Sequence, residues 1–109
     1  MHELSIAESI VETVLSRTHE QQVRSVRVRI GTLTAVLPDA LMFCFDLAAS
    51  GTPLDGARLE IEQQAARAHC RDCNQVFVVP DMFLLCTCGS ADLEVLAGRE
   101  LQVASVEVG

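Results

Sequence analysis

Four cysteines in two close pairs constrain this chain more than any other feature. Two residues separate Cys70 from Cys73, one separates Cys86 from Cys88, and twelve lie between the pairs. Zn²⁺ favours four tetrahedral ligands, and thiolates suit it well. Two tight turns that each bring a pair of sulfurs close that shell with little loss of chain entropy. Asn74 and Gly89 follow the second cysteine of each pair, and both types tolerate the left-handed backbone such turns need. The expectation is a closed structural site on Cys70, Cys73, Cys86 and Cys88, because four protein ligands leave no open position for catalysis. The shorter second turn should bring fewer backbone amides to its sulfurs. The intervening "VFVV" and "MFLL" are predicted to be the two strands of a ribbon.

Disulfides are the alternative use of such cysteines. The chain has five, an odd count, and its N-terminus lacks a charged-then-apolar signal pattern, so ligation in a cytoplasmic protein is expected. A thioredoxin-like redox role finds no βαβ context. The fifth cysteine, Cys44, reads as a small buried hydrophobe on a helix. His69 adjoins Cys70 and reads as exposed, with a ligand or supporting role as the alternative.

The whole chain has 109 residues, which suits one small domain carrying a mini-module. "SIAESIVETVLSR" repeats apolar residues at helical spacing, with Ser5 and Glu8 as a predicted capping box. "SVRVRIG" and "ARLEIEQ" alternate as half-buried strands. "LPDALMFCFDLAASG" is a second helix, with Pro38 in its first turn and Gly51 after its end. "ELQVASVEV" alternates again, its phase restored by a bulge near Ala104 and Ser105. This order predicts an α+β fold: two helices packed on a small three-stranded sheet, with an inserted four-cysteine zinc-ribbon module. The expected division is 1–66 plus 97–109 for the α+β domain and 67–96 for the zinc module.

Charge narrows the partners. The net charge is −7, and loading four thiolates with Zn²⁺ takes it to −9. A nucleic-acid binder needs a basic face to displace counterions, so no nucleic acid is expected. No apolar run approaches the roughly 18 residues of a membrane helix, so no membrane insertion is expected. A Gly-x-x-x-x-Gly-Lys-Ser/Thr phosphate loop is absent, as is any suggested nucleophile arrangement, so the chain reads as no enzyme.

The opening residues, Met1, His2 and Glu3, offer a different chemistry. His2 presents an imidazole and its own backbone nitrogen beside the Met1 amine. The Glu3 amide offers a fourth nitrogen, either instead of the amine or in addition to it with some rearrangement. Deprotonated amides favour square-planar Ni²⁺ or Cu²⁺, and copper binds nitrogen sites the more tightly, so the residues alone leave the ion undecided.

"MHELSIAESIV", "RIGTLTAVLPDAL", "GARLEIE", "CRDC" and "CGSADLEVLAGREL", in that order, resemble the HypA/HybF family, nickel metallochaperones for maturation of NiFe hydrogenases. The resemblance covers essentially the whole chain. It implies Ni(II) as transient cargo at Met1, His2 and Glu3, and structural Zn(II) at the four paired cysteines. Many members have two residues within the second cysteine pair where this chain has only Thr87. Asp39 matches an acidic position of the family, either as an extra nickel ligand or as a carboxylate favoured by the helix dipole. The implied partners are a HypB-type nickel GTPase and the hydrogenase large-subunit precursor, and a homodimer is left open. From the residues alone, the alternative is a zinc-ribbon adaptor that binds only proteins.

Overall fold

A computed structural model describes residues 2–80 and 82–109. Its elements run α1 (Glu3–Thr18), β1 (Val23–Gly31), a 3-10 turn (Thr32–Thr34), α2 (Pro38–Ala49), β2 (Arg58–Gln64), β3 (Ala66–Cys70), β4 (Val76–Val79), β5 (Leu93–Ala97) and β6 (Leu101–Val108). They form an α+β fold with two separate three-stranded sheets, ordered β2–β1–β6 and β4–β3–β5. The chain divides into two compact units. One comprises 1–29, 35–62 and 102–109; the other comprises 30–34 and 63–101.

In the first unit the apolar patterns become a core. Ala7, Ile10, Val11 and Val14 are the buried stripe of α1, and Leu41, Phe45 and Ala49 that of α2. The two helices pack against each other. Val26 and Val28 on β1 and Leu59 on β2 are also buried. The outward arginines of β1 pair across the sheet: Arg27 lies 3.5 Å from Glu60, and Arg29 lies 3.1 Å from Glu62. Such half-exposed pairs favour this strand register and contribute little to stability. In β6, Val103 and Val106 are the half-buried positions of an unbroken strand.

The start of α1 differs from expectation. The helix begins at Glu3, so Ser5 and Glu8 lie inside it and form no capping box. His2 is the N-cap residue, with no capping bond from its side chain. Its carbonyl accepts the first helical bond from Ile6, at 3.0 Å. The helix starts early because Glu3 is drawn inward: it is only 7% exposed, and its Oε2 accepts a bond of 3.1 Å from the Leu37 amide. Leu37 is the N-cap of α2, so this one carboxylate places the N-terminal ends of both helices side by side.

The second unit also differs in detail from the predicted ribbon. "VFVV" is strand β4, but "MFLL" is not a strand. β3 is the central strand, antiparallel to both β4 and β5. Ala66 faces Val79 and Ala68 faces Phe77 on one side, while Cys70 faces Leu93 on the other. Because β5 fills the second edge of β3, "MFLL" has no strand to pair with there. The unit extends beyond 67–96, to 63–101 and the separate segment 30–34. Within it, the Leu33 amide donates to the Gly98 carbonyl and the Gly31 amide to the Glu100 carbonyl, each at 2.8 Å. The approach is so close that a Cβ on Gly31 would stand 2.0 Å from the Gly98 oxygen.

Candidate metal centres

Cys70 ends β3, and its chain then reverses. The Asn74 amide bonds the Cys70 carbonyl at 2.8 Å, with Asn74 at φ 63°. That positive φ is the conformation expected after the first cysteine pair. The second turn is closed by the Gly89 amide on the Cys86 carbonyl, at 2.9 Å, with Gly89 at φ 93°. Two contacts clasp the turns together. Arg71 donates to the Asp92 carboxylate at 2.9 Å, and the Ser90 hydroxyl donates to Asp72.

The result is four sulfurs within 4.8 Å of one another. Cys70 lies 3.7 Å from Cys88, and Cys73 lies 3.6 Å from Cys86. Sulfurs held about 2.3 Å from a tetrahedral Zn²⁺ stand about 3.8 Å apart. A disulfide requires about 2.05 Å, so all four thiols are free. The tetrad therefore fits a tetrahedral thiolate-bound ion. Cys70 and Cys86 are buried, whereas Cys73 and Cys88 are exposed. Gln75, which the sequence does not single out, sits against the second pair. Its Oε1 accepts from the Thr87 hydroxyl at 3.4 Å and lies 3.9 Å from the Cys86 sulfur.

Electrostatics distribute unevenly over the tetrad. The amides of Cys73 and Asp72 lower the Cys70 thiol to about 7, against desolvation. The Gln75 amide pulls Cys73 down, but the Cys86 sulfur, desolvation and Cys70 outweigh it and raise the thiol. At Cys88 the Ser90 amide likewise loses to Cys86, desolvation, Cys70 and Cys73, and the thiol rises to about 12. Four sulfurs at this spacing resist becoming four thiolates by themselves. A divalent cation at their centre removes that resistance.

His69 points away from the tetrad, as strand alternation requires of the residue before Cys70. It is half-buried, 3.9 Å from Glu94, and is not among the clustered ligands. Cys44 is half-buried, less enclosed than expected.

At the N-terminus, Met1 lies outside the described residues. His2 is exposed, immediately ahead of the first helical turn. The Glu3 carboxylate is held below its ordinary value, chiefly by the bond from Leu37, against burial and with help from its own amide, the chain's amino group and His2. Its side chain is thus engaged in joining the helices. Asp39 is exposed in the first turn of α2, two residues beyond Leu37. The Glu3–Leu37 tie is invisible in the sequence, where 34 residues separate the two.

Comparison with known proteins covers the whole chain. A family model described as hydrogenase/urease nickel incorporation, metallochaperone, hypA matches residues 1–108. The hydrogenase maturation factor HypA of Trichormus variabilis is 43% identical over 108 residues, which span 99% of this chain and 96% of that one. HypA of Geotalea uraniireducens is 42% identical over 109 residues, 99% of both chains. In fold, the chain is similar to the solution structure of the Ni metallochaperone HypA from Helicobacter pylori, with a TM-score of 0.69 at 24% identity, over 99% of this chain and 97% of that one. The full-length family match and these relatives agree with the paired-cysteine unit and the α+β fold: the chain belongs to the HypA family.

Proposed function

We propose that this chain is a nickel metallochaperone that holds Ni(II) at its N-terminus and hands it on during maturation of NiFe hydrogenase. The observation that carries this reading is the placement of His2, exposed at the mouth of a helix whose first turn is pinned by Glu3. His2 would give its imidazole and backbone nitrogen. The Met1 amine, the Glu3 amide nitrogen, or both with some rearrangement, would complete the set. The adjoining helix N-terminus, with its partial positive charge, favours an amide in its anionic form. Glu3 would thereby serve in two ways, its amide toward the ion and its carboxylate toward Leu37. Asp39, in the first turn of α2, would be the candidate for a further ligand or a supporting carboxylate.

A carrier must also release. Few side-chain ligands at an exposed chain end exchange more readily than a buried cage. The receiving partners would be a HypB-type nickel GTPase and the hydrogenase large-subunit precursor, in the cytoplasm. Cys70, Cys73, Cys86 and Cys88 would hold Zn(II), which supplies a cross-link for the second unit and no reaction.

Calorimetric titration with Ni²⁺ tests the site on three proteins: the native chain, His2→Ala, and a chain lengthened ahead of Met1. Binding should be lost in His2→Ala. Retention in the lengthened chain shows that the Met1 amine is dispensable and that the imidazole and backbone amides suffice; loss makes the amine a ligand. Equal binding by all three overturns the N-terminal site and leaves the adaptor reading. Because the donors must shed protons, affinity should fall as the pH is lowered.

A further inference from the structure

The outward face of α2 is built unlike a solvated helix surface. Phe43 is 66% exposed, Leu47 57% and Met42 44%, although Leu41, Phe45 and Ala49 already fill the inward face. At 100° per residue, Met42, Asp46, Asp39, Phe43 and Leu47 form one continuous stripe that starts beside Ala49 and runs round the outward face. The helix is therefore apolar on both sides. A soluble helix has no folding reason to expose an aromatic and two large aliphatic side chains together.

The charges on the stripe are as unusual. Asp39 and Asp46 are both exposed, and α2 has no Lys, Arg or His. Among the described residues, neither aspartate takes part in an ion pair, whereas Glu60, Glu62 and Glu107 on the sheet are each matched by an arginine. Two unmatched carboxylates are thus interleaved with three exposed apolar side chains.

We infer that this stripe is a docking surface for a basic amphipathic helix of a partner protein. Apolar side chains of the partner would pack beside Phe43 and Leu47, ridge against groove. Lysine or arginine flanking them would meet Asp39 and Asp46. A helix is the matching occupant because the stripe follows one straight element about 18 Å long. The inference stands without the nickel reading. If both hold, the partner would lie along α2 with one end beside Asp39 and the opening residues.

The test is a two-dimensional NMR titration of the full chain. The probe is a synthetic Leu/Lys amphipathic helix about 14 residues long, compared with a peptide of the same composition whose leucines are spread around the helix. Shifts should centre on Met42, Phe43, Asp46 and Leu47, and the amphipathic peptide should bind more tightly. Phe43→Ser with Leu47→Ser should weaken binding about tenfold or more, since an exposed aromatic anchor carries much of such a contact. Asp46→Asn should weaken it about threefold, a difference that disappears in high salt. The inward face is untouched, so helix content and Ni²⁺ binding should be unchanged in all three substitutions. Shifts centred elsewhere, equal affinity for the two peptides, or equal binding by the double variant overturns the proposal. So does movement of the same α2 signals on diluting the protein alone, which would show a second copy covering this face.

Discussion

Glu3 joins the ends of two helices through a single oxygen, and its titration should be visible in the stability of the protein. Its pKa in the folded chain lies below its unfolded value. The stabilisation it supplies is therefore fully present above the unfolded value, about 4.3, and is lost as the pH falls through the lower, folded one. Glu3→Gln keeps the shape but not the charge. Denaturant unfolding of both proteins should show the native chain ahead at pH 7 and the gap closing below pH 4. A gap that stays constant would mean that the carboxylate is not what joins the helices. Comparing the two proteins cancels the acid sensitivity of the cysteines, which they share. The residue was legible as an acidic group in a start expected to bind metal, and illegible as a structural clasp. Nothing in "MHELS" announces a partner beyond α1.

Periodicity identified most elements because burial on one face leaves a trace in local order. Val26 and Val28 alternate with Arg27, and Leu41 and Phe45 recur at helical spacing, in the sequence as in the fold. The failures came where a distant contact decides. Ser5 and Glu8 have capping-box spacing, yet the Leu37 amide moved the start of the helix to Glu3. "MFLL" has the composition of a strand, yet β5 occupies the edge it needed. Gly31 reads as a strand terminator; the structure gives it a sharper role, a place where no side chain fits beneath Gly98. Gly31→Ala should cost about 1–3 kcal/mol, as overpacked sites do, read as a lower denaturation midpoint. Gly51→Ala is a useful contrast. Its added Cβ meets nothing within 4 Å, so any cost there comes from its φ of 78° alone. Similar losses at both positions would count against the close approach.

At the scale of the molecule, the two units differ in what holds them. The first has two helices and a sheet closing over Leu41, Phe45, Val26 and Val28. The fully enclosed apolar cluster of the second consists of Ala66, Ala68 and Val79, with Leu33, Phe77, Leu84 and Leu93 only partly covered. So small a core cannot support a fold alone, and structural zinc sites contribute on the order of 10–16 kcal/mol. Chelation of the metal that the tetrad holds should therefore collapse the backbone NMR signals of β3, β4 and β5. The helical circular dichroism of α1 and α2 should remain. Loss of both together would show that the units fold as one, and retention of both would remove the structural role of the tetrad. The tetrad was legible because its spacing is local.

The second unit also bears on how such a protein can change over time. Segments that evolution shuffles as cassettes usually enter and leave at one point of the chain. This unit is assembled from two pieces, 30–34 and 63–101, tied by the Leu33 and Gly31 amides to the carbonyls of Gly98 and Glu100. A foreign ribbon grafted over 67–96 inherits that obligation: it must return the chain so that those two carbonyls meet the amides of Leu33 and Gly31. The two pieces of the unit are therefore not free to drift apart, and their changes should be inherited in pairs.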